Sequence, residues 1–173
     1  MMKTAFSITA LAVLLTACQT TPSEPMLASA QLKATKGNKT FGEATFEQVG
    51  DKVRVAVFVQ GLKPEQAHGL HIHEVGDCSS GDGMSTKGHF NPLGKQHGHQ
   101  GSTERHAGDM PSLKANKSGR ANVQVDLDII SLMPGPTNII GRGFIVHAMP
   151  DDYTTQPTGN AGARIACGVI QPG

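Results

Sequence analysis

Histidine is the residue type with the clearest chemical meaning in this sequence. Seven of the eight histidines lie between residues 68 and 109, and the eighth, His147, stands near the end of a later apolar run. His71 and His73 are two positions apart, and in a β-strand that spacing points both imidazoles to one face. Imidazole is the commonest metal ligand and suits zinc and copper, and three histidines with one carboxylate can form a closed tetrahedral zinc site. We therefore interpret the cluster as a metal centre rather than as a polar, histidine-rich surface loop.

The elements that must position these histidines are predicted to be β-strands. Apolar and polar residues alternate over 53–60 and over 122–129, which is typical of half-buried antiparallel strands. Turn signals precede both segments, at 50–51 and at 118–119. Eight strands are predicted in all, at 27–35, 41–49, 53–60, 69–73, near 111–115, 122–129, 141–147 and 163–170.

Two long segments, 74–109 and 148–162, lack a strand pattern. Loops of that length within a compact domain are usually functional. The first of them carries the later histidines at loop-like spacing, with Gly, Pro, Ser and Lys between them. We expect these two loops to complete a site that begins on the strands.

Five motifs narrow the interpretation. They are HGLHIHEVGD at 68–77, GHFNP at 88–92, RHAGD at 105–109, IGRGFIVH at 140–147 and TGNAGARIACGVI at 158–170. In this order, and over about the last 105 residues, the sequence resembles the copper/zinc superoxide dismutases. The resemblance implies an all-β fold, a flattened eight-stranded Greek-key β-barrel of the immunoglobulin-like sandwich type.

The resemblance also implies which residues hold metal. His89 would serve two ions at once, as a deprotonated imidazolate with one nitrogen on each. Each subunit would then hold one copper and one zinc ion. Copper would be bound by His71, His73, His89 and His147, and zinc by His89, His97, His106 and Asp109.

Two residues outside the ligand sets are matched to the family by position. Arg164 matches the active-site arginine, whose positive fork would hold the superoxide anion beside copper. Asp151 matches a carboxylate that links His71 to His97 and fixes both rings. The neighbouring Asp152 cannot be told apart from Asp151 by sequence alone.

Lys87 is a candidate for steering the substrate. The segment between Asp152 and Arg164 has no charged residue, whereas the subloop between Cys78 and His89 is extended, and both features resemble the bacterial branch of the family. Positive charge near the copper must then come from another segment. Lys87, two residues before His89, is the best placed, with Lys95 and Arg105 behind it.

Two histidines are left over. His68 matches a family histidine that is not a ligand, and we expect it to form a hydrogen bond inside the fold. His99 departs from the family pattern, and we expect it to lie in solvent on the zinc loop. A role for His99 in collecting metal stays open.

The implied reaction is the dismutation of superoxide to oxygen and hydrogen peroxide. The alternative is a non-catalytic lipoprotein that stores or delivers copper and zinc. A metal carrier of this type would be expected to have lost a ligand or the arginine. All seven ligand positions and Arg164 are filled here, which favours the enzyme.

The first 26 residues are predicted to serve export. Residues 1–17 have a positive end at Lys3 and an apolar stretch too short to span a bilayer. The run from Leu15 to Cys18 resembles the bacterial lipoprotein cleavage box, in which the cysteine is lipidated; an ordinary secretory signal is the alternative. Residues 18–26 would be a lipidated cysteine and a tether, and 27–173 the catalytic domain. We expect the bacterial periplasm or cell envelope as the location.

The three cysteines fit this division. If Cys18 carries lipid, Cys78 and Cys167 are left to pair, and export to an oxidising compartment permits the bond. The family resemblance implies the same pair.

Charge adds little to the functional reading. Without Lys3, the only charged residue of the first 17, basic and acidic residues are equal in number. There is no basic run and little aromatic surface, so nucleic acid is not expected as a partner. A membrane is expected only through the lipid anchor, and the sequence leaves monomer or homodimer open.

Overall fold

The computed structural model describes residues 24–173. The predicted signal segment and Cys18 lie outside the described residues, as does the tether before residue 24. The described chain is all-β, with one short 3₁₀ turn at Met84–Thr86 and no α-helix. No helix in this part of the chain is long and apolar enough to cross a membrane.

The predicted strands are all present, with ends shifted by up to two residues, and two further differences appear. The strand predicted at 69–73 starts earlier and is divided at Gly69, and a short strand is added at the C-terminal end, where Pro172 pairs with Ala28. The strands are β1 Leu27–Ala34, β2 Phe41–Val49, β3 Lys52–Gln60, β4 Ala67–His68, β5 Leu70–His73, β6 Leu113–Lys114, β7 Arg120–Leu127, β8 Gly143–His147, β9 Arg164–Val169 and β10 Gln171–Pro172.

Antiparallel ladders join these strands into a barrel. One sheet runs in the order β5-β8-β9-β1-β2-β3-β7, and β4 pairs with β6. The turn between β6 and β7 is closed by a hydrogen bond from Asn116 N–H to the Arg120 carbonyl, 2.8 Å. Since β4 runs directly into β5, the path returns to its start. The connections from β3 to β4 and from β7 to β8 pass over neighbouring strands, which confirms the predicted Greek-key barrel.

The barrel interior is filled by alternate residues of its strands. Inward side chains of β3 are at most 1% exposed, while their neighbours in the strand face outward. Burying a valine side chain contributes about 1.5–3 kcal/mol relative to leaving it exposed. Phe46 and Phe144 meet edge to face, with ring centroids 5.4 Å apart. The buried valines of β3 are Val53, Val55, Val57 and Val59.

Two loops outside the barrel cover the histidine-bearing strands. The first loop, residues 74–112, joins β5 to β6, and the second loop, residues 148–163, joins β8 to β9. A disulfide between Cys78 and Cys167 ties the first loop to β9 across 89 positions of sequence. Closing a loop of that length restricts the unfolded chain by about 4–5 kcal/mol in the chain-entropy model.

Candidate metal centre

The structure brings the predicted ligands together in two groups. Each residue of a group offers one ligand atom, and these atoms lie within 4.8 Å of one another. All the residues are buried, and His89 belongs to both groups. The four-histidine group is His71, His73, His89 and His147, and the mixed group is His89, His97, His106 and Asp109.

The strands and the first loop together place these residues. In β5, Leu70 and Ile72 enter the core, so His71 and His73 face the loops on the opposite side. The first loop folds back onto β5, because Ile72 N–H donates to the Gly108 carbonyl at 3.0 Å and Phe90 N–H donates to the Ile72 carbonyl at 2.8 Å. A side chain on Gly108 would overlap the Ile72 carbonyl oxygen, so this close approach requires glycine.

The mixed group has the dimensions of a zinc site. Asp109 Oδ1 lies 2.9 Å from His89 Nδ1, 3.0 Å from His97 Nδ1 and 3.4 Å from His106 Nδ1. Tetrahedral coordination with bonds of about 2.0–2.1 Å separates neighbouring ligand atoms by about 3.3–3.4 Å, so the third distance matches and the first two are slightly shorter. The other oxygen, Oδ2, accepts hydrogen bonds from the Gly98 and His106 N–H groups. These two bonds turn Oδ1 toward the three ring nitrogens.

In the four-histidine group, hydrogen bonds on the far side of each ring direct the lone pairs inward. His73 Nδ1–H donates to the Lys87 carbonyl at 2.9 Å, and His147 Nδ1–H donates to the Gly162 carbonyl at 3.2 Å. A carbonyl can only accept, so both Nε2 atoms present lone pairs, and they lie 3.4 Å apart. Two facing lone pairs at this distance fit a shared cation.

Two buried nitrogens complete the four-histidine group. His71 Nε2–H donates to Asp151 Oδ2 at 2.7 Å, which leaves the Nδ1 lone pair free. Within residues 24–173, His71 Nδ1 and His89 Nε2 have no hydrogen-bond partner. A buried polar atom without a partner is costly, and a metal ion would satisfy both nitrogens. The residues present therefore fit a metal held by four imidazole nitrogens.

Burial keeps the imidazoles of the four-histidine group neutral at pH 7. Burial lowers the pKa of His71, and it lowers the pKa of His73 and His147 further, with neighbouring imidazoles adding to the effect for the latter two. For His89, burial and the proximity of His71 lower the pKa to about 3. Neutral imidazole is the form that binds a metal.

Asp151 joins the two groups. Its Oδ2 accepts from His71 Nε2–H at 2.7 Å, and its Oδ1 lies 2.9 Å from His97 Nε2. Burial opposes ionisation of Asp151, but the hydrogen bonds from His71 and His97 outweigh it and lower the pKa of Asp151. For His97, burial likewise opposes the charged form, yet Asp109 and Asp151 raise the pKa to about 9. Asp152 faces solvent and instead accepts hydrogen bonds from Thr154 and Thr155.

Arg164 reaches the four-histidine group from β9. A cavity of about 290 Å³ is lined by His73, His89, His147 and Arg164, among others. Arg164 Nη1 donates to the Gly83 carbonyl at 2.7 Å and to Thr86 Oγ1 at 2.9 Å.

A third bond fixes the other end of the guanidinium. Arg164 Nη2 donates to the Lys87 carbonyl at 2.6 Å. The Nε–H and one N–H of Nη2 then have no acceptor in the described part of the chain.

The remaining sequence candidates lie outside both groups. Lys87 is exposed and directly follows the 3₁₀ turn. His68 is buried and its Nδ1–H donates to the His147 carbonyl at 2.8 Å. His99 is exposed and packs edge to face against Tyr153, with centroids 4.8 Å apart.

Sequence reasoning missed the residues by which the second loop holds His97. The side-chain amide of Gln156 accepts the His97 N–H and donates to the His97 carbonyl, both at 2.9 Å. Tyr153 N–H donates to Asp151 Oδ1 at 2.7 Å. Neither residue type nor spacing distinguishes Gln156 and Tyr153 from other loop residues, so no sequence signal marks them.

The comparisons with known proteins agree with this geometry. A family profile described as copper/zinc superoxide dismutase (SODC) matches residues 40–170. Superoxide dismutase (Cu-Zn) 2 of Aquifex aeolicus is 39% identical over 153 residues, covering 86% of this chain and 89% of that protein. A Cu-Zn superoxide dismutase of Paramecium bursaria Chlorella virus 1 is 42% identical over 135 residues, covering 75% of this chain and 71% of that protein.

A solved structure extends the agreement to the fold. The crystal structure of the clock protein EA4 matches with a TM-score of 0.77 and 42% identity, over 85% of this chain and 94% of that one. With the profile covering most of the barrel and both histidine groups, this chain belongs to the copper/zinc superoxide dismutase family.

Proposed function

We propose that this protein disproportionates superoxide to oxygen and hydrogen peroxide in the cavity above the four-histidine group. One observation carries the proposal: imidazole lone pairs converge beside an arginine whose free N–H groups can hold an anion. Copper and zinc are the cofactors, and the two groups are their sites. Four nitrogen ligands suit copper, and three histidines with a carboxylate in a closed arrangement suit zinc. When bound, copper supplies one-electron chemistry, which zinc does not.

Arg164 binds and orients the substrate. Its guanidinium is fixed by bonds to Gly83, Thr86 and Lys87, so it loses little freedom when an anion binds. The unused Nε–H and Nη2–H form a two-pronged donor beside His73 and His147.

His89 is proposed to handle a proton. Its Nδ1 lies in the mixed group and its Nε2 faces the four-histidine group. With both nitrogens used as ligands, the ring carries no proton. Nε2 is then the atom that can take up a proton near the substrate and deliver it to the reduced oxygen product.

Lys87 is proposed to attract superoxide from solution. Lys95 pairs with Glu104 and Arg105 pairs with Asp128, whereas Lys87 forms no salt bridge with any described residue. The unpaired charge of Lys87 therefore attracts a distant anion more effectively than the paired charges of Lys95 and Arg105 do.

The backbone of Lys87 supports the same proposal. Lys87 has φ +60° and ψ −144°, a conformation that glycine adopts most easily. Such strain costs on the order of 1–3 kcal/mol and is found at functional sites. A lysine in this conformation costs stability that glycine would not, which supports a functional need for its side chain.

The test is to measure metal content and superoxide consumption on the same purified sample. We expect one copper and one zinc per chain and catalytic consumption of superoxide. A protein that binds both metals and does not turn over superoxide would instead be a metal store or carrier, which the intact ligand sets and Arg164 do not favour.

Location and assembly are proposed on the sequence pattern. We infer export to the periplasm or cell envelope, with Cys18 lipidated and residues 18–26 as a tether. Export would place the domain where the Cys78–Cys167 disulfide is stable. Replacing Cys18 by serine should move active protein from the membrane to a soluble fraction; continued membrane binding would contradict the anchor. Monomer and homodimer both stay open, and sedimentation of the processed protein would decide between them.

A further inference from the structure

The cavity beside the four-histidine group is lined by a possible soft metal ligand as well as by imidazoles. The four histidines are at most 6% exposed. Three of them line the cavity of about 290 Å³ that also contains Arg164. Met84 is the one sulfur-containing residue that lines this cavity.

Met84 is unusually exposed for a large apolar residue. The residue is 59% exposed, more than any other large apolar residue in the described part of the chain. Its backbone is nevertheless fixed. Met84 N–H donates to Asp82 Oδ1 at 2.9 Å, and the Met84 carbonyl accepts from Lys87 N–H at 3.0 Å.

The turn that carries Met84 is attached to the site on both sides. Before it, the Gly83 carbonyl accepts bonds from Arg164 and Thr86. After it, the Lys87 carbonyl accepts bonds from His73 and Arg164. The backbone of Met84 is therefore fixed beside the cavity, which the residue lines together with His73 and His147.

The thioether of Met84 favours copper(I) among the ions of copper and zinc. A thioether is a soft ligand that selects copper(I) over zinc or copper(II), for which imidazole and oxygen ligands are better. Arg164 repels an entering cation, but the Asp82 carboxylate lies close enough to interact with its charge. A soft sulfur ligand at this point compensates for the unfavourable charge of the arginine.

We propose that Met84 is a capture ligand for copper(I) on its way to the four-histidine group. A copper–sulfur bond to Met84 Sδ forms first, and it is then exchanged for bonds to the Nε2 atoms of His73 and His147. Only ligands are exchanged in this step, and no electron is transferred. The inference rests on the assignment of copper to that group.

The experiment compares rates of copper uptake by zinc-loaded, copper-free protein. Copper(I) is supplied without oxygen as a complex with a coloured chelator, and copper(II) is supplied separately as its glycine complex. Met84→Leu keeps the size and exposure of the side chain but removes the sulfur. Met149→Leu is the matched control, because Met149 is 50% exposed and does not line the cavity.

We expect Met84→Leu to slow copper(I) uptake by at least about threefold, because the soft ligand is lost. Copper(II) uptake, the final copper content and the Met149→Leu rates should be unchanged. A smaller effect on copper(I), or equal slowing of both oxidation states, would overturn the inference. If the unmodified protein binds no copper at these histidines, the copper assignment itself fails.

Discussion

At the scale of single residues, the site depends on side chains that are buried in the form a metal requires. His73 and His147 each have Nδ1–H tied to a carbonyl and the Nε2 lone pair free. Asp109 and Asp151 are held as carboxylates by the imidazoles around them. The protonation state of each group therefore follows from its neighbours, and pH should disturb the site in a direction that can be stated in advance.

The first prediction concerns protein from which the metals have been removed by a chelator. Burial lowers the pKa of four histidines from the ordinary 6.5, to about 3 for His89. At a pH below 6.5 and above the lowered pKa of a histidine, that residue is protonated in the unfolded chain and neutral in the folded one. The free energy of unfolding must therefore fall as the pH drops through this range. His97, with a pKa raised to about 9, contributes stability that is complete below 6.5 and is lost only as pH rises, so it does not offset the loss.

We expect the urea midpoint of the metal-free protein to be lower at pH 5 than at pH 7. The loss should be about 1 kcal/mol or more for each histidine that stays neutral when folded. Protein that keeps both metals should lose at least as much, because a ligating nitrogen binds no proton in the folded state while the unfolded chain still does. An unchanged midpoint in the metal-free protein would mean that these rings are protonated in the fold.

At the scale of elements, the strands were predictable and the contacts between loops were not. Alternation of apolar and polar residues predicted the strand that contains Val53–Val59, because a strand repeats every two residues. The short β4 and β10 carry too few residues to show a period. The division at Gly69 is likewise absent from the pattern.

In the site too, the sequence pattern predicted part of the arrangement, and the packing of the loops determined the rest. Clustering predicted a metal centre on β5 and the first loop, and the family resemblance supplied the individual ligands. The second loop holds His97 through Gln156 and positions Asp151 through the Tyr153 N–H, and both contacts depend on how the loops pack. Residues of these types occur in any loop, so this part required the structure.

The second prediction tests the contact between Asp151 and His97 by a change at Gly159 in the second loop. An added Cβ there would overlap Asp151 Oδ1 and lie 2.5 Å from His97 Nε2. Gly159→Ala should therefore separate Asp151 from His97. Disrupting an outer-shell partner of this kind typically weakens metal binding by about 10–100-fold. Competition with a chromophoric chelator measures the zinc affinity.

Gly50→Ala is the control for the change at Gly159. Gly50 has φ +61° against +66° for Gly159, so alanine meets a similar backbone strain at both positions. No atom outside the neighbouring residues lies within 4 Å of a Cβ at Gly50. Both variants should lose some stability, but only Gly159→Ala should lose zinc affinity. Equal zinc affinities would show that Asp151 does not hold His97 in place.

At the scale of the whole molecule, charge should govern how often superoxide finds the cavity. Basic and acidic residues nearly balance over the chain, so attraction must come from local charge. The second loop has no charged residue between Asp152 and Arg164. Lys87, whose carbonyl binds Arg164, is then an unpaired positive charge near the opening, and Arg164 is the positive charge that lines the cavity.

The third prediction concerns Lys87. Lys87→Glu should lower the second-order rate at low salt and flatten or reverse its salt dependence, since steering is screened by ions. Lys87→Gly should lower the rate to a smaller extent and be at least as stable, because glycine adopts the positive φ without strain. Metal content should be unchanged in both. Rates equal to the unmodified protein at every ionic strength would leave Arg164 as the attracting group.

The most direct test of the central claim is the rate of superoxide consumption per bound copper in His89→Ala. His89 is the residue that both groups share, so its loss removes the link between the metals and the proton route together. His106→Ala is the control, because His106 belongs to the mixed group alone. We expect His89→Ala to fall about 100-fold or more, the usual scale of a lost proton-transfer group, and well below His106→Ala. Near-normal turnover of His89→Ala with both metals bound would contradict the shared role of His89.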